Sequence, residues 1–376
     1  MDFGLSEDQA ALRAAVEKLC AGFGDDYWLG CDRDHRFPDE FYRAMADGGW
    51  LGIAMPEAYG GAGLGITEAA ILLHTVTRAG GGMSAASAIH INIFGPHPIV
   101  VHGTDAQRAR WLPQLIRGEE RTCFGVTEPN AGLDTGRIET RAERKQGGGY
   151  VVHGQKIWTS TAQRADKIML LARTTPREEC RRSVDGLSLF YCDFDRERIE
   201  VREIEKMGRG AVDSNQIFID GLEVREDERI GAEGEGFRCL LHGLNPERIL
   251  GAVEPIGIGQ NALERAATYA RERIVFGRPI GQNQAVQHPL AQSWAELEAA
   301  YWMAMRAAWL YDHGQPCGVE ANAAKYLGAE AGTNAAMRAF MTFGGMGYAK
   351  EFHVERLLRE VVITRTAPVS MNLVLC

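Results

Sequence analysis

The chain has 376 residues, of which 45% are hydrophobic and 24% charged, proportions typical of a folded globular protein with two or three domains. Its formal net charge of -9 at pH 7 argues against nucleic acid as a partner, because binding of a phosphate backbone requires a basic surface. No apolar run reaches the roughly 18 residues of a membrane span, so we expect none. The eight cysteines include no CxxC pair, which predicts reduced thiols, a cytoplasmic protein and no metal site.

Residues 1–118 carry the pattern of α-helices. Apolar side chains recur at helical spacing over the first twenty residues, and Ser6 is a candidate N-cap for this helix. Glycine-rich segments interrupt the pattern at residues 59–65 and 80–82, and residues 67–78 between them again have helical spacing. We therefore predict a helical N-terminal domain over residues 1–118.

Short β-branched or aromatic runs, separated by turn residues, replace the helical pattern over residues 119–230. Three consecutive glycines at 147–149 predict a hairpin turn. The runs themselves are residues 150–152, 168–171, 187–191 and 216–219. Since no helical stretches alternate with these runs, they predict an antiparallel β domain rather than βαβ units.

Long amphipathic stretches rich in Ala, Leu and Met fill residues 231–376. Those predicted to be helices are residues 262–274, 286–313, 320–342 and 353–362. They indicate a C-terminal helical domain. The whole chain is therefore predicted to be mainly α, with a central β domain between two helical domains.

Five motifs follow one another along the chain. They are WLGI with PEAYGG (residues 50–61), VTEPNAGLD (126–134), GQKIWTS (154–160), RERIVFGRPI followed by Gln284 (271–284), and FGGMGY (343–348). Taken alone, the second and third motifs would be interpreted as a polar turn and a strand with a core tryptophan. Together and in this order, the five motifs resemble the acyl-CoA dehydrogenase family over nearly the whole chain.

This resemblance implies a fold, a cofactor and partners. The fold implied is a helical N-terminal domain, a β-barrel-like middle domain and a C-terminal four-helix bundle. The cofactor implied is FAD, and the substrate is an acyl thioester of CoA or of a carrier protein. A separate electron-transfer flavoprotein is the implied oxidant of the flavin, and the implied assembly is a homo-oligomer, either a dimer or a tetramer.

The resemblance also implies which residues bind the flavin. These are Thr127, Trp158, Thr159, Ser160, Arg273, Phe276, Gln284, Gly344, Gly345 and Ser370. The chemistry agrees, since an indole can stack on the flavin ring and an arginine can pair with the diphosphate. Without the resemblance, Arg273 would be interpreted as a surface charge. In this family the diphosphate is reached across a subunit interface, so Arg273 and Gln284 imply an obligate oligomer.

The segment GIGQNA (residues 257–262) fits the G-x-G-x-x-A dinucleotide fingerprint. That fingerprint requires a preceding strand and an acidic residue about twenty positions later. The preceding residues have a helical pattern here, so we interpret the two glycines as points of close helix packing. We therefore expect no nicotinamide cofactor.

The resemblance implies that a carboxylate removes the proton next to the thioester carbonyl while a hydride leaves the adjacent carbon. Most members keep this glutamate at the position of Pro368, which cannot accept a proton. A smaller group, including isovaleryl- and long-chain acyl-CoA dehydrogenases, keeps it in a Leu-x-x-Glu-Arg segment, which matches LNPER at residues 244–248. We therefore predict Glu247 as the base and Arg248 as a contact of the thioester ligand. Without the resemblance, both would be first-turn charges of a helix begun by Pro246.

Two further residues of the implied ligand site depart from the family pattern. Leu133 stands where a small hydroxyl residue is frequent, and Asn245 stands where aspartate often binds the adenine end. An acyl group on a carrier protein is therefore an alternative substrate, because its phosphopantetheine arm lacks the adenine. A second alternative is a flavin-binding family member without dehydrogenase activity that serves as a binding or assembly protein.

Overall fold

The computed structural model describes residues 4–375 and confirms the predicted succession of helices, strands and helices. Ser6 caps the first helix as predicted, since its hydroxyl accepts a hydrogen bond from the backbone N–H of Gln9 at 3.2 Å. The helices before the sheet are α1 (Glu7–Cys20), α2 (Asp25–Arg33), α3 (Asp39–Asp47), α4 (Ile66–Val76), α5 (Gly82–Phe94), α6 (His97–His102) and α7 (Asp105–Ile116).

The predicted glycine interruption lies between α4 and α5. A single π-helical turn at Thr77–Gly81 follows α4, and Gly80 within it has a φ of 100°. This left-handed backbone favours glycine, so the turn ends α4 and α5 begins at Gly82.

The central part of the chain forms an eight-stranded sheet in the order β6-β7-β3-β2-β4-β5-β8, with β1 paired to β4. Its strands are β1 (Thr122–Gly125), β2 (Arg141–Arg144), β3 (Tyr150–Ser160), β4 (Lys167–Arg173), β5 (Leu187–Asp193), β6 (Ile199–Glu203), β7 (Ser214–Val224) and β8 (Arg229–Ile230). The predicted glycine turn joins β2 to β3, where Lys145 N–H donates to the carbonyl of Gly149 at 3.0 Å.

Two of the strand pairings differ from the predicted antiparallel arrangement. β4 pairs in parallel with β1, with Thr122 opposite Lys167, and also with β2, with Arg141 opposite Arg173. The sheet is therefore mixed. Runs of β-branched residues show where strands lie but not how they pair, because direction depends on the path of the connecting segments.

The C-terminal part contains three long helices and two short ones. They are α8 (Gly236–Glu272), α9 (Gln284–Asp312), α10 (Gly318–Phe343), α11 (Val354–Val361) and α12 (Met371–Val374), and a small hairpin of β9 (Ile274–Val275) and β10 (Arg278–Pro279) joins α8 to α9. The prediction that the first of these helices begins at residue 262 was wrong. Its first half contains glycines and prolines, which have low helix propensity, and tertiary packing overrides that propensity.

The two glycines of the fingerprint-like segment are points of close packing, as predicted. A Cβ added to Gly257 would lie 2.6 Å from the carbonyl oxygen of His74, and one added to Gly259 would lie 2.9 Å from Gly332 Cα. Both glycines lie inside α8, so the strand that a dinucleotide fingerprint needs is absent from this stretch.

α8 is the central helix of the protein. Ile249, Val253 and Ile256 on it are fully buried in the same apolar cluster as Leu72 of α4 and Ile89 of α5. The first and last helical parts of the chain therefore share one core. Among the helices of residues 4–375, none is long and apolar enough to cross a membrane.

Candidate functional site

Trp158 is an exposed aromatic side chain at an irregular point of β3. Between Lys156 and Thr159 the pairing of β3 with β7 shifts its register, and Trp158 has a left-handed φ of 62°. Its side chain is 55% exposed, whereas the adjacent Thr159 is fully buried. The bulge thus presents an indole on which a flat aromatic ligand can stack.

The two hydroxyl residues after Trp158 differ in their bonding. Thr159 Oγ1 is buried and has no hydrogen-bond partner within residues 4–375. Ser160 Oγ accepts a hydrogen bond from Arg209 Nη2 at 3.0 Å. Since buried polar atoms are nearly always paired, the unpaired Thr159 hydroxyl is available to a ligand beside the indole. These residues therefore fit the predicted flavin.

A buried ion pair joins the two motifs of the β domain. Lys156 Nζ lies 2.9 Å from Glu128 Oε1 and donates to the carbonyl of Val126 at 3.0 Å. The Glu128 carboxylate also accepts the backbone N–H groups of Glu139 and Thr140, at 2.8 and 3.0 Å. Burial lowers the pKa of Lys156 to about 8 against the attraction of Glu128.

This pair places the first motif along the strand that carries Trp158. Beside it, the carbonyl of Thr127 accepts the backbone N–H of Ile157 at 2.9 Å. Thr127 is thereby held next to the residue that precedes Trp158. The structure thus brings together four of the predicted cofactor residues: Thr127, Trp158, Thr159 and Ser160.

Five other predicted cofactor residues lie at the far end of α8. They are Arg273 at its C-cap, Phe276 in the hairpin, Gln284 at the start of α9, and Gly344 with Gly345 after α10. The rings of Tyr269 and Phe343 stack with centroids 4.2 Å apart and hold the ends of α8 and α10 together. Phe276 is fully exposed. Within residues 4–375 no hydrogen bond joins this group to Trp158 or its neighbours.

The remaining predicted binding residues are placed differently. Ser370 caps α12, where its hydroxyl accepts Leu373 N–H at 3.4 Å. Leu133 is 56% exposed on the loop after β1. Arg248 Nη1 donates to Asn245 Oδ1 at 3.3 Å, while Arg248 Nε is buried without a partner among the described residues. The Arg248 guanidinium therefore keeps hydrogen-bonding capacity for a ligand.

Glu247 lies inside α8, not in its first turn, because the helix begins at Gly236. The alternative interpretation of Glu247 and Arg248 as first-turn charges of a helix is therefore wrong. Burial raises the pKa of Glu247 to about 7, with His90 and Arg248 opposing the rise and Glu254 adding to it. No hydrogen bond from the rest of the described chain stabilises its charged form. A partly buried carboxyl that titrates near neutrality suits a general base.

Pro368 lies beside the same face of α8 as Glu247. Gly251 follows Glu247 by four residues and so shares its face. A Cβ added to Gly251 would lie 3.6 Å from Pro368 Cδ and 3.8 Å from Lys325 Cε of α10. Pro368, at the first position where the resemblance allows a base, therefore packs against α8 one helical turn after Glu247, at the second.

Glu254 is a second acid on this face of α8. It is 1% exposed, and its carboxylate is hydrogen-bonded to Nδ1 of His90 on α5. Burial lowers the pKa of His90, but attraction to Glu254 and Glu247 outweighs burial and raises it overall. The nearby Lys325 is fully buried, its Nζ donates to the carbonyl of Thr364, and burial lowers its pKa to about 8.

Sequence reasoning missed His90, Glu254 and Lys325. A signal was present, since Glu254 and Lys325 are charged residues inside otherwise apolar helical stretches. Charged side chains are rarely fully buried unless they are paired or functional. The signal required that residues 236–261 be recognised as helix, because only then does Glu254 share a face with Glu247.

Comparison with known proteins gives matches along the whole chain. Residues 6–119, 123–222 and 234–367 match the families described as acyl-CoA dehydrogenase, N-terminal domain, middle domain and C-terminal domain. The chain is similar to an acyl-CoA dehydrogenase of Mycobacterium tuberculosis, with 36% identity over 375 residues that cover 98% of this chain and 94% of that protein.

Two solved structures share the fold over the full length. Glutaryl-coenzyme A dehydrogenase in complex with glutaryl-CoA has a TM-score of 0.94 at 30% identity and covers 100% of this chain and 94% of its own. The prolyl acyl carrier protein oxidase AnaB has a TM-score of 0.91 at 25% identity and covers 99% of this chain and 97% of its own.

Proposed function

The chain belongs to the acyl-CoA dehydrogenase family of FAD-dependent oxidoreductases, and on this premise we propose that it dehydrogenates an acyl-CoA thioester at the α,β position with Glu247 as the base. The observation that carries the proposal is the environment of Glu247, a partly buried carboxyl that no described residue hydrogen-bonds and whose pKa burial raises to about 7. It lies one helical turn before Gly251, which Pro368 packs against. A base with this pKa is largely ionised just above neutral pH and still accepts a proton readily.

The proton and hydride leave from adjacent carbons of the acyl group. Glu247 accepts the proton from the carbon next to the thioester carbonyl, and its carboxylate is free to do so because no described residue hydrogen-bonds it. When bound, FAD supplies the acceptor for the hydride of the next carbon, so that a carbon–carbon double bond forms. Arg248 and Asn245 lie within one helical turn of Glu247, and a hydrogen bond joins their side chains. They orient the thioester ligand.

Thr127, Trp158, Thr159 and Ser160 would hold the ring end of the flavin. The exposed indole of Trp158 and the unpaired Thr159 hydroxyl support this assignment. Arg273, Phe276, Gln284, Gly344 and Gly345 would hold the diphosphate and adenosine end of a flavin bound mainly by a second copy of the chain. Ser370 would complete the cofactor site near α12. This division of the cofactor residues requires a homo-oligomer.

Exposed tryptophans on α9 support oligomerisation. Trp294 and Trp309 are 62% and 49% exposed, and the intervening Trp302 is 41% exposed. Their spacing of eight and seven residues places them along one side of the helix. Large exposed apolar side chains in a row mark interaction surfaces, so we expect a dimer or tetramer by light scattering after gel filtration.

The substitution Glu247→Gln tests the base. It removes the proton acceptor while keeping size and shape, so anaerobic bleaching of the flavin by acyl-CoA should slow by about 10²–10⁴-fold. Glu264→Gln is a matched control, since Glu264 lies on the same helix but is exposed and paired with Arg78. Normal bleaching by the Glu247→Gln protein would show that the base lies elsewhere. Bound flavin that no thioester bleaches in the unmodified protein would favour a binding or assembly role.

A carrier-bound acyl thioester is the second candidate substrate. It is favoured by Leu133 and Asn245, which replace residues that often contact CoA, and by the likeness to a carrier-protein oxidase. Comparison of the same acyl group on CoA and on a carrier protein distinguishes the two. Faster bleaching by the CoA ester supports the first candidate, and faster bleaching by the carrier-bound ester supports the second.

We propose a separate electron-transfer flavoprotein as the oxidant that restores the flavin. Reoxidation by such a protein should be much faster than by dissolved oxygen in stopped-flow measurements.

The cysteines of the described chain are free thiols, and six of them are buried, while Cys376 lies outside the described residues. Free thiols of this kind support the expected cytoplasmic location.

A further inference from the structure

The polar groups near Glu247 come from more than one helix. Glu247, Gly251 and Glu254 are spaced by four and three residues and therefore lie on one face of α8. Gly251 lacks a side chain, and a Cβ added there would meet Pro368 Cδ at 3.6 Å and Lys325 Cε at 3.8 Å, which is ordinary contact distance. The glycine thus leaves methyl-sized room between two carboxyl groups, in a part of the protein otherwise built from apolar helices.

His90 faces this room from α5 with one ring nitrogen unused. Its Nδ1 is hydrogen-bonded to the buried Glu254. Its Nε2 has no partner within residues 4–375 and is not among their buried unpaired atoms, and 15% of the side-chain surface is exposed. Despite burial, attraction to the Glu254 and Glu247 carboxylates raises the pKa of the His90 ring, which favours the doubly protonated ring. In this form Nε2 carries a hydrogen that it can donate to a ligand.

Lys325 is a second basic group next to Gly251. Its aliphatic chain lies next to Gly251, and its fully buried ammonium donates to the carbonyl of Thr364. His90 compensates the charge of Glu254, and Lys325 opposes that of Glu247. The polar group left to pair with a ligand is therefore the His90 Nε2–H, which favours an electron-rich ligand atom.

We propose that His90, held by Glu254, is a specificity-determining residue that donates a hydrogen bond from Nε2 to an oxygen atom of the acyl group. The inference rests on the proposed dehydrogenase function and names its substrate class: acyl thioesters that carry a hydroxyl, carbonyl or carboxylate oxygen beyond the β-carbon. A plain alkyl chain would leave the Nε2–H without a partner once water is displaced, which weakens binding. An aminoacyl group would place a third positive charge beside those of His90 and Lys325.

The test uses the purified holoprotein and five-carbon acyl groups attached to pantetheine, the arm that CoA and carrier proteins share. The panel is pentanoyl, 5-hydroxypentanoyl, 4-oxopentanoyl, glutaryl and 5-aminopentanoyl thioester. Each is titrated anaerobically, and the shift of the flavin band gives a Kd whether or not the flavin is then reduced. At least one oxygen-bearing thioester should bind about tenfold more tightly than pentanoyl, the effect of one hydrogen bond, and 5-aminopentanoyl should bind most weakly.

Two variants test whether His90 and Glu254 cause the preference for an oxygen-bearing thioester. His90→Leu should abolish the preference over pentanoyl, and Glu254→Gln, which keeps the shape but not the charge, should reduce it. His153→Leu is the control, because His153 lies on the sheet and pairs with the exposed Asp220; it should keep the preference. If His90→Leu does not bind flavin, Glu254→Gln alone decides the matter.

The outcomes separate this inference from the proposed function. Equal or tighter binding of pentanoyl by the unmodified protein, or a preference that survives both variants, would overturn the inference. Absence of bleaching by every thioester would instead count against dehydrogenation, while the Kd order would still support or overturn the role of His90.

Discussion

Two buried ion pairs in this protein each join a glutamate to a basic side chain, but they differ in how many of their polar atoms are hydrogen-bonded. In the Lys156–Glu128 pair, the two charged groups are bonded to each other, and each has further partners. The ammonium also donates to one backbone carbonyl, and the carboxylate also accepts two backbone N–H groups. In the Glu254–His90 pair, one ring nitrogen and the nearby Glu247 carboxylate have no partner in the described chain. A completed network joins two segments of a fold, whereas an incomplete one faces a ligand.

The largest effect is expected from breaking the completed pair. Lys156→Met leaves the buried Glu128 carboxylate without its charge partner, so the free energy of unfolding should fall by about 3–5 kcal/mol. Urea denaturation of the flavin-free protein measures this change directly. A loss below about 1 kcal/mol would contradict the structural role of the pair and would equate it with an exposed pair.

A smaller change, of opposite sign, is expected from the incomplete network. Burial raises the pKa of folded Glu247 to about 7 from an ordinary value of 4.5. The folded state therefore holds its proton more tightly than the unfolded state. The associated stability is present below pH 4.5 and is lost as the pH rises to about 7. Glu247→Gln should remove this loss and stabilise the protein by up to about 3 kcal/mol at pH 8.

Urea denaturation at pH 4.5 and pH 8 measures the difference. The gain should be absent at the lower pH, and Glu264→Gln, an exposed control on the same helix, should show no gain at either. An equal effect of Glu247→Gln at both pH values would mean that the carboxyl is not perturbed by burial. The bleaching rate of the unmodified protein should rise with pH through about 7 as Glu247 ionises.

The unpaired Thr159 hydroxyl beside Trp158 is the basis of a third test, for which the expected effect is smaller. Thr159→Val keeps the shape but removes Oγ1, which is buried without a partner among the described residues. The flavin-free protein should gain up to about 1 kcal/mol, whereas FAD should bind about tenfold more weakly. Thermal unfolding and titration of the flavin-free protein with FAD measure the two effects. Unchanged FAD affinity would exclude a contact between Thr159 and the cofactor.

The smallest effect is expected at an exposed pair of the same residue types. Lys145 lies 2.9 Å from Glu223, whose side chain is 72% exposed. Lys145→Met should leave the urea midpoint of unfolding nearly unchanged, because water and salt screen the interaction. The contrast with Lys156→Met in one urea series isolates the effect of burial.

The fold, and the clustering of Thr127 with Trp158, Thr159 and Ser160, were predictable because their signals are local. The order of helical and β-rich segments sets the architecture, and the Trp158 motif lies within seven consecutive residues. The start of α8 was not predictable in the same way. Part of residues 236–261 has a helical pattern, but Pro246, Pro255 and several glycines disfavour a helix locally, and packing against α4, α5 and α10 joins the stretch into one helix.

The buried polar groups near Glu247 were missed for a related reason. His90, Glu254 and Lys325 belong to three different helices, and the hydrogen bond between the first two spans 164 positions of the chain. No local pattern records such a meeting. The pairing direction of β4 with β1 and β2 is likewise set by the path of the chain and not by strand composition.

The proline within α8 at position 255 has a mechanical consequence. Proline has no backbone N–H, so the carbonyl of Gly251, four residues earlier, lacks the hydrogen bond that it would accept in an uninterrupted helix. This missing bond lies between Glu247 and Glu254. Bending at this turn breaks no bond of the helical ladder, so it is the place where the separation of the two carboxyl groups can adjust to acyl groups of different size at the lowest energetic cost.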